Sequence, residues 1–281
     1  MMNLNLMNLS LVIYFFAGIF YFIRLIFTPL DKSKQQDKLH YLTGFKKEGF
    51  GFFASIIFIL GFLLHTVAII NRWCQAHRPP FANLYESLIL FAWSIALIYI
   101  IIELIYKIRF LGVAVSLLVV FTFGFASLLD SSIQPLVPAL QSNWLTIHVT
   151  SYFLGYGVVS VSFILSIIYL IGFKKSYSAS WLAHLDILSY RLIAFGFPFL
   201  TIGLTTGAVW ANVAWGSYWS WDPKETWSLI TWLIYALYLH LRLLRGWRGR
   251  KIAYLNIIGF LAVLFTFFGV NFILPGLHSY L

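Results

Sequence analysis

Apolar residues fill this chain in long runs that are separated by short polar segments. A transmembrane helix needs roughly 20 mainly apolar residues. Runs of this kind cover residues 9–28, 50–70, 85–105, 110–129, 146–172, 191–211, 226–243 and 252–274. The pattern therefore predicts an all-α integral membrane protein, a polytopic bundle of about eight transmembrane helices.

The composition supports the membrane class. The chain is 61% hydrophobic and only 10% charged, whereas soluble domains are about half apolar and a quarter charged. We expect one membrane domain over 1–281, with helices one to four acting as scaffold over 1–142. The first basic residue, Arg24, lies at the far end of the first apolar run, which favours an uncleaved span over a secretory signal. The single cysteine, Cys74, excludes an internal disulfide and any CxxC motif.

The distribution of positive charge predicts the orientation in the membrane. Lys and Arg concentrate in loops on the cis (cytoplasmic or stromal) side, and of the nineteen basic residues only Arg72, Arg78 and Lys224 fall on the opposite side. Both termini are therefore predicted on the trans, or lumenal, side. The net charge of +10 indicates contact with anionic lipid in the bilayer. No nucleic-acid motif is present.

Tryptophan is concentrated in residues 210–232, which we call the Trp-rich region. Six of the eleven tryptophans lie there: Trp210, Trp215, Trp219, Trp221, Trp227 and Trp232. An interfacial aromatic belt is the alternative interpretation, but a belt spreads its rings over all helix ends. The clustering favours a binding surface for a large planar ligand.

Two histidines far apart in the chain are predicted at the same membrane face as this region. His148 lies within the first two turns of helix five, and His278 follows a helix-breaking Pro275-Gly276 pair. Two imidazoles can hold a haem iron from both sides while aromatic rings cover the porphyrin. Either histidine alone would be read as a polar residue at a wet interface. The cations available to pair with haem propionates are Arg72, Arg78 and Lys224.

Two acidic residues have both a structural and a functional interpretation. Asp222 precedes Pro223 and Glu225 stands three residues on, which is typical of a helix N-terminus; a direct ligand contact by Asp222 stays open beside this capping role. Asn83 and Glu86 likewise resemble a capping box, and a functional role of Glu86 stays equally open.

His65 and His240 are predicted inside the membrane, where ionisable residues are costly and indicate function by default. At 1.5 Å per residue their depths fall near opposite faces of a core about 30 Å thick, so they should not share one iron. We interpret His65 as a structural residue, whereas a functional role of His240 stays more open. The roles of His65 and His77 are not assigned from the sequence.

The segment W-G-S-Y-W-S-W-D-P-K-E, flanked by N-W-L-T-I-H and L-P-G-L-H, resembles the CcmF/CycK/CcsA family of haem-handling membrane proteins. The eight-span layout is most similar to its CcsA branch, which belongs to system II cytochrome c biogenesis. The match covers about Asn143 to His278, which we expect to be the haem-handling core over 143–281. Residues 1–50 show no resemblance, and P-P-F-A-N departs from the branch pattern.

The resemblance implies the site residues. His148 and His278 would be the axial ligands of the haem iron, and the haem-binding signature would comprise Trp215, Trp219, Trp221 and Asp222. His240 would be the membrane-embedded histidine that receives haem b from the cis side. Its counterpart would belong to a CcsB-type membrane partner.

The function implied is haem attachment during biogenesis of c-type cytochromes, with transiently bound haem relayed across the membrane and presented to apocytochrome CxxCH motifs. The family suggests the plastid thylakoid membrane, with a bacterial membrane as the alternative. No residue resembles a covalent nucleophile. Whether the protein is classified as a haem lyase therefore depends on whether a protein that only ligates and positions haem is counted as an enzyme. The competing functions are transport of another amphipathic aromatic molecule and a non-catalytic assembly subunit.

Overall fold

The structure, a computed structural model, describes the backbone of residues 2–27 and 41–274 and the side chains of residues 4–27 and 49–274. Within this part the regular elements are helices: α1 (Met2–Phe27), α2 (Tyr41–Ala76), α3 (Leu84–Tyr106), α4 (Gly112–Ala126), α5 (Asn143–Lys174), α6 (Ala179–Trp215), α7 (Pro223–Leu244), α8 (Arg250–Leu264) and α9 (Val270–Ile273). Short 3-10 turns lie at Arg109–Leu111 and Pro138–Leu140, and a π-helical turn at Phe265–Gly269 joins α8 to α9.

Eight helical segments in the described residues are long and apolar enough to cross a membrane, which confirms the predicted fold class. The last of them runs from Arg250 to Ile273 and contains the π-helical turn. The sidedness of the termini stays a prediction. The largest difference in bounds is at α6, which begins at Ala179, twelve residues before the predicted run at 191. The added residues are amphipathic, so hydropathy does not report them although they are helical.

The chain divides into two compact units. The first contains residues 1–80 and 85–133, and the second contains residues 81–84 and 134–281. The predicted division between a scaffold ending at 142 and a haem-handling core starting at 143 is a functional one, and it stays a prediction.

Aromatic rings fill the interior of the first unit. Tyr14, Phe58, Tyr99 and Tyr21 are fully buried and meet edge to face, with neighbouring centroids 5.0 to 6.2 Å apart. Such T-shaped pairs stabilise a core beyond the area that they bury. They hold α1, α2 and α3 together.

Each end of α3 has a buried carboxylate that is bound by other elements of the first unit. At its start, Glu86 is 2.9 Å from Arg72 and 2.8 Å from Arg78. At its other end, Glu103 accepts a hydrogen bond from Tyr21 at 2.6 Å and lies 3.4 Å from the Arg109 guanidinium. Buried charges are stable only when they are paired, so both ends of α3 are fixed in position.

In the second unit, α5 and α6 form a closely packed antiparallel pair. Small residues let membrane helices approach, and a Cβ built on Gly203 of α6 would lie 2.7 Å from the Tyr152 ring of α5. Asn256 of α8 donates hydrogen bonds to Ser162 and Ser166 at 2.9 and 2.8 Å. These contacts bind α8 to the middle of α5.

Helix α7 is attached to its neighbours at several levels. Trp232 donates a hydrogen bond from Nε1 to the Thr201 hydroxyl at 2.9 Å, which joins α7 to α6. Near the end of α7, Arg242 forms a buried ion pair with Asp186 at 2.7 Å. The same carboxylate accepts a hydrogen bond from the backbone of Gly249, so the turn between α7 and α8 is fixed to α6.

Candidate functional site

His148 lies in the second turn of α5 and faces α6. Ser142 caps this helix by accepting a hydrogen bond from the Trp144 amide at 3.2 Å. The His148 Nδ1 atom is 2.7 Å from the carbonyl oxygen of Gly203. Because a carbonyl can only accept, Nδ1 is the protonated nitrogen, and in the neutral ring the lone pair is on Nε2. Histidine ligands of metals are commonly oriented by such a bond.

The imidazole is held between a glycine and two aromatic rings. A Cβ on Gly207 would lie 2.4 Å from Nδ1, so only glycine leaves room for the ring at this position. Trp210 stacks on the imidazole with centroids 5.9 Å apart, and Tyr152 meets it edge-on at 5.0 Å. Three supporting residues were not predicted from the sequence: Gly203, Gly207 and Tyr152. The spacing of four residues between His148 and Tyr152, and again between the two glycines, is the only local signal of this packing.

Trp210 and Trp215 extend this packing to the end of α6. Trp210 is buried and donates a hydrogen bond from Nε1 to the carbonyl of Ala139 at 2.8 Å. The Trp215 ring meets it in a T-shaped contact at 4.9 Å. Gly216 then ends the helix with φ +76°, a left-handed conformation that favours glycine. The first half of the Trp-rich region is therefore rigidly joined to His148.

Residues 216–222 form the turn between α6 and α7. We call this segment the aromatic turn because it displays aromatic rings. Trp221 is 69% exposed and Tyr218 is 60% exposed. Trp221 has φ +59°, which is rare and strained for a bulky side chain. Trp219 lies beside it, with ring centroids 5.8 Å apart.

Hydrogen bonds to one carboxylate hold this strained turn. Glu225 Oε2 accepts from the Ser220 amide at 2.8 Å and from the Asp222 amide at 3.2 Å. Asp222 is 6% exposed and its carboxylate accepts from the Lys224 amide at 2.9 Å. The predicted capping role of Asp222 is thus present as a complete capping box. A ligand contact by Asp222 stays a prediction.

His240 lies four residues before the end of α7 and is exposed. It shares an outward stripe with Leu233, Leu237 and Leu244, which are 51%, 47% and 73% exposed. The intervals of four, three and four residues along this stripe follow the helical repeat. His240 therefore faces away from the interior of the second unit.

The other histidines named by the sequence fall elsewhere. His278 lies outside the described residues, so its predicted pairing with His148 stays a prediction. His65 belongs to the first unit, is fully buried and stacks on Phe123 at 4.5 Å, which fits its structural interpretation. His77 is exposed in the turn after α2 with φ +52°.

The three cations suggested as propionate partners already have protein partners. Arg72 and Arg78 both bind Glu86, and Lys224 donates a hydrogen bond to Asn271 at 2.9 Å. Glu86 therefore belongs to a buried ion cluster. We assign none of the three cations to a propionate.

The donor set of the second unit suits haem better than a bare metal ion. Within the described residues, no group of three or more His, Cys, Asp or Glu side chains is placed to bind a metal. One imidazole with an oriented ring and a neighbouring aromatic surface instead fits an iron held by a macrocycle, which needs only axial ligands from the protein. The fold therefore defines the class of the protein as a polytopic integral membrane protein of eight apolar helices within the described residues.

The family follows from comparison with known proteins. The profile described as "Cytochrome C assembly protein" matches residues 81–278, which is more than half of the chain. The chain belongs to this family. The match begins before α3 and extends through the last helix, so it includes His148, the Trp-rich region and His240.

Three relatives show the extent of the similarity, and each is described as "Cytochrome c biogenesis protein CcsA". The protein of Chlamydomonas reinhardtii is 48% identical over an alignment of 231 residues, which covers 78% of this chain and 65% of that protein. The Guillardia theta protein is 42% identical over 250 residues, covering 79% and 83% of the two chains. The Pyropia yezoensis protein is 38% identical over 332 residues, covering 99% of each.

Proposed function

We propose that this protein handles haem for the biogenesis of c-type cytochromes and presents it to the apocytochrome at the trans face of the membrane. Haem b would enter near His240, pass to the trans side and be held there by His148 and His278 beside the Trp-rich region. The observation that carries this proposal is the orientation of the His148 ring. It is fixed by a carbonyl, a glycine and an indole, all of which come from α6.

The role of His148 follows from its hydrogen bond. Donation from Nδ1 to the Gly203 carbonyl fixes the tautomer and increases the basicity of Nε2. The stacked Trp210 ring prevents the imidazole from rotating. This orientation leaves Nε2 as the nitrogen that would ligate the iron.

The aromatic turn supports the same proposal. Trp221 and Tyr218 are exposed although large aromatic side chains usually bury most of their surface. A strained backbone at Trp221 is retained because Glu225 binds the residues on both sides of it. Strain of this kind persists where surrounding structure enforces it, often at ligand sites. We assign Trp215, Trp219 and Trp221 to the surface that covers the porphyrin.

The exposure of His240 supports a partner chain. Its imidazole lies on a leucine-lined outward stripe of α7, so a second axial ligand at this point would come from another protein. A CcsB-type membrane protein supplies that ligand in this proposal. Intramembrane histidines face protein or a cavity rather than lipid tails because the polar ring is costly in hydrocarbon.

Bound haem supplies vinyl groups to which the thiols of an apocytochrome CxxCH motif add. The protein contributes positioning: it fixes one imidazole, covers the macrocycle with indole rings and limits access of water. The proposed location is the thylakoid membrane of a plastid, with the Trp-rich region lumenal.

Replacement of single histidines tests the proposal. The full chain is co-produced with a CcsB-type partner, purified in detergent, and its absorption spectrum is recorded. Both His148→Gly and His278→Gly should lose the part of the Soret band that comes from haem at the trans face, while haem ligated at His240 remains. Added imidazole should restore the lost part because the small ligand fills the space of the lost ring. His184→Gly is the matched control, since His184 is exposed on α6 and bonds only within its own helix, to Ser180.

The result separates the competing functions. Loss and rescue in both variants, with an unchanged control, is the expected outcome. If both variants keep the spectrum of the unmutated protein, the axial assignment is wrong. If the purified complex has no Soret band while cytochrome maturation proceeds, the protein is an assembly subunit and does not bind haem.

A further inference from the structure

Polar residues recur along α7 at every turn of the helix. They follow one another at alternating intervals of four and three residues: Lys224, Ser228, Thr231, Tyr235, Tyr238 and Arg242. Such intervals place side chains on one face of a helix. We call this set the polar stripe of α7. At about 1.5 Å per residue it is about 27 Å long, close to the hydrocarbon thickness of about 30 Å.

A direct polar contact is present at each end of the polar stripe. At the start of α7 the Lys224 ammonium donates a hydrogen bond to Asn271 Oδ1 at 2.9 Å. At the other end Arg242 and Asp186 form a buried ion pair at 2.7 Å. Ionisable groups inside a membrane are costly and face the interior of a bundle, where protein or water supplies their partners. Both ends of the stripe therefore face the interior of the second unit.

The middle of the polar stripe is buried and carries hydroxyl groups. Thr231, Tyr235 and Tyr238 are the buried residues of α7. The Thr231 hydroxyl lies 3.2 Å from that of Thr266. The Tyr235 ring covers Gly259 of α8, where an added Cβ would lie 2.9 Å from Cζ. Since the leucines of α7 lie on its outward face, this helix is polar inside and apolar outside.

Two polar atoms in this interior lack a hydrogen-bond partner. Within the described residues, the Tyr235 hydroxyl and Asn256 Oδ1 are fully buried and unpaired. Gly259, which the Tyr235 ring covers, is three residues after Asn256, so the two side chains lie on facing helices about one turn apart. An unpaired polar group is strongly unfavourable in an apolar environment because lipid tails offer no substitute for the missing bond.

Hydroxyl groups of other helices surround Asn256. Its Nδ2 atom donates to Ser162 and Ser166 of α5 at 2.9 and 2.8 Å and lies 3.4 Å from Ser189 Oγ of α6. Tyr238 of α7 interacts with the same Ser189. If the serines instead donated to the amide oxygen, the amide nitrogen would be the unpaired end. One end of the Asn256 amide therefore lacks a protein partner in either orientation.

We propose that ordered water binds between α7 and α8 and completes the hydrogen bonds of Tyr235 and Asn256. A buried water makes about three hydrogen bonds to polar groups that otherwise lack partners. The two unpaired atoms and the neighbouring hydroxyls of Tyr238 and Ser189 supply that number. This site goes beyond haem handling, because none of its residues belongs to the proposed haem ligands. The polar stripe of α7 then borders a hydrated interior.

Radiolytic labelling tests for the bound water. The full chain is co-produced with a CcsB-type partner, placed in lipid nanodiscs and exposed to short X-ray pulses. These pulses convert water beside a side chain into hydroxyl radicals, and mass spectrometry locates the oxidised residues. Tyr235 and Tyr238 should be oxidised although they are only 0% and 1% exposed. Protection of both residues would overturn the proposal.

Phe260 is the matched control residue in the same experiment. It is 1% exposed and lies on α8, where it stacks on Phe163 with ring centroids 4.3 Å apart. Phe260 should stay protected while Tyr235 is oxidised. Equal oxidation of both residues would show that the helices open to bulk solvent, and it would contradict a bound water.

The sign of a stability change gives a second test. If water binds the Tyr235 hydroxyl, Tyr235→Phe loses a hydrogen bond and the melting temperature of the complex should fall. Without water, the same variant removes an unpaired buried hydroxyl and the melting temperature should rise. Tyr254→Phe is the control, since Tyr254 is 56% exposed on α8, and it should leave the melting temperature unchanged. An increase or no change with Tyr235→Phe would refute the water site.

Discussion

Replacement of Gly207 by alanine should displace the His148 imidazole while leaving α6 intact. The added Cβ would lie 2.4 Å from Nδ1 and 2.6 Å from Cε1, whereas carbon and nitrogen atoms in contact stay about 3.5 Å apart or more. The ring must therefore move by about 1 Å. A shift of that size breaks the 2.7 Å hydrogen bond to the Gly203 carbonyl.

The cost follows from the lost bond. A buried or half-buried polar group without its partner costs about 1–3 kcal/mol, and since each 1.4 kcal/mol is a factor of ten, haem should be held roughly 5- to 150-fold more weakly. The helix itself should gain, because alanine is favoured over glycine in helix interiors by up to about 1 kcal/mol. Because this gain is no larger than the cost of the unbonded imidazole, the expected result is weaker haem binding with thermal stability unchanged or slightly lower.

The assay records thermal unfolding and haem retention of the purified complex side by side. Gly124→Ala is the matched control, because Gly124 also lies inside a transmembrane helix and a Cβ there meets nothing within 4 Å. Added imidazole should rescue Gly207→Ala less well than His148→Gly, since the displaced ring still occupies the space. If Gly207→Ala keeps the haem spectrum and retention of the unmutated protein, the packing of His148 against α6 does not govern ligation.

Three further outcomes follow from local contacts. Glu225→Ala removes a cap contact that contributes about 1–2 kcal/mol. Hydrogen exchange of the backbone amides in the aromatic turn, measured by mass spectrometry, should become roughly 5- to 30-fold faster. An unchanged exchange rate would show that the carboxylate does not hold the turn. Glu86→Gln breaks a buried ion cluster with Arg72, at a cost of about 3–5 kcal/mol, and an unaltered melting temperature would contradict it. The hydroxyl and amide of Ser132 lower the pKa of Asp130 below its ordinary value, so this contact stabilises the loop at neutral pH and is lost as pH falls through that pKa. Ser132→Ala should raise the pKa of Asp130 in a carbon-13 NMR titration. An unchanged pKa would exclude the hydroxyl as the main cause.

The number and class of the helices could be predicted from the sequence because the bilayer imposes one length scale on every span. The ends of the helices could not. α6 extends back to Ala179 and its N-cap is Ser178, in a segment whose mixed polarity hides its helical state from a hydropathy pattern. The π-helical turn was also missed, since residues 252–274 read as one continuous apolar run. It packs against Trp227 and Thr231 of α7, and such tertiary contacts leave no signal in local hydropathy.

The residues proposed for the candidate site could be predicted from the sequence, but the residues that hold them in position could not. Histidine, tryptophan and a capping aspartate are recognisable by type and local spacing, so His148 and Asp222 could be named from the sequence. The carbonyl that fixes the His148 ring belongs to Gly203, 55 residues away, and a backbone atom leaves no trace in residue identity. Glu86 was interpreted from the sequence as part of a helix cap. The structure instead shows an ion pair with Arg72, fourteen residues earlier in the chain.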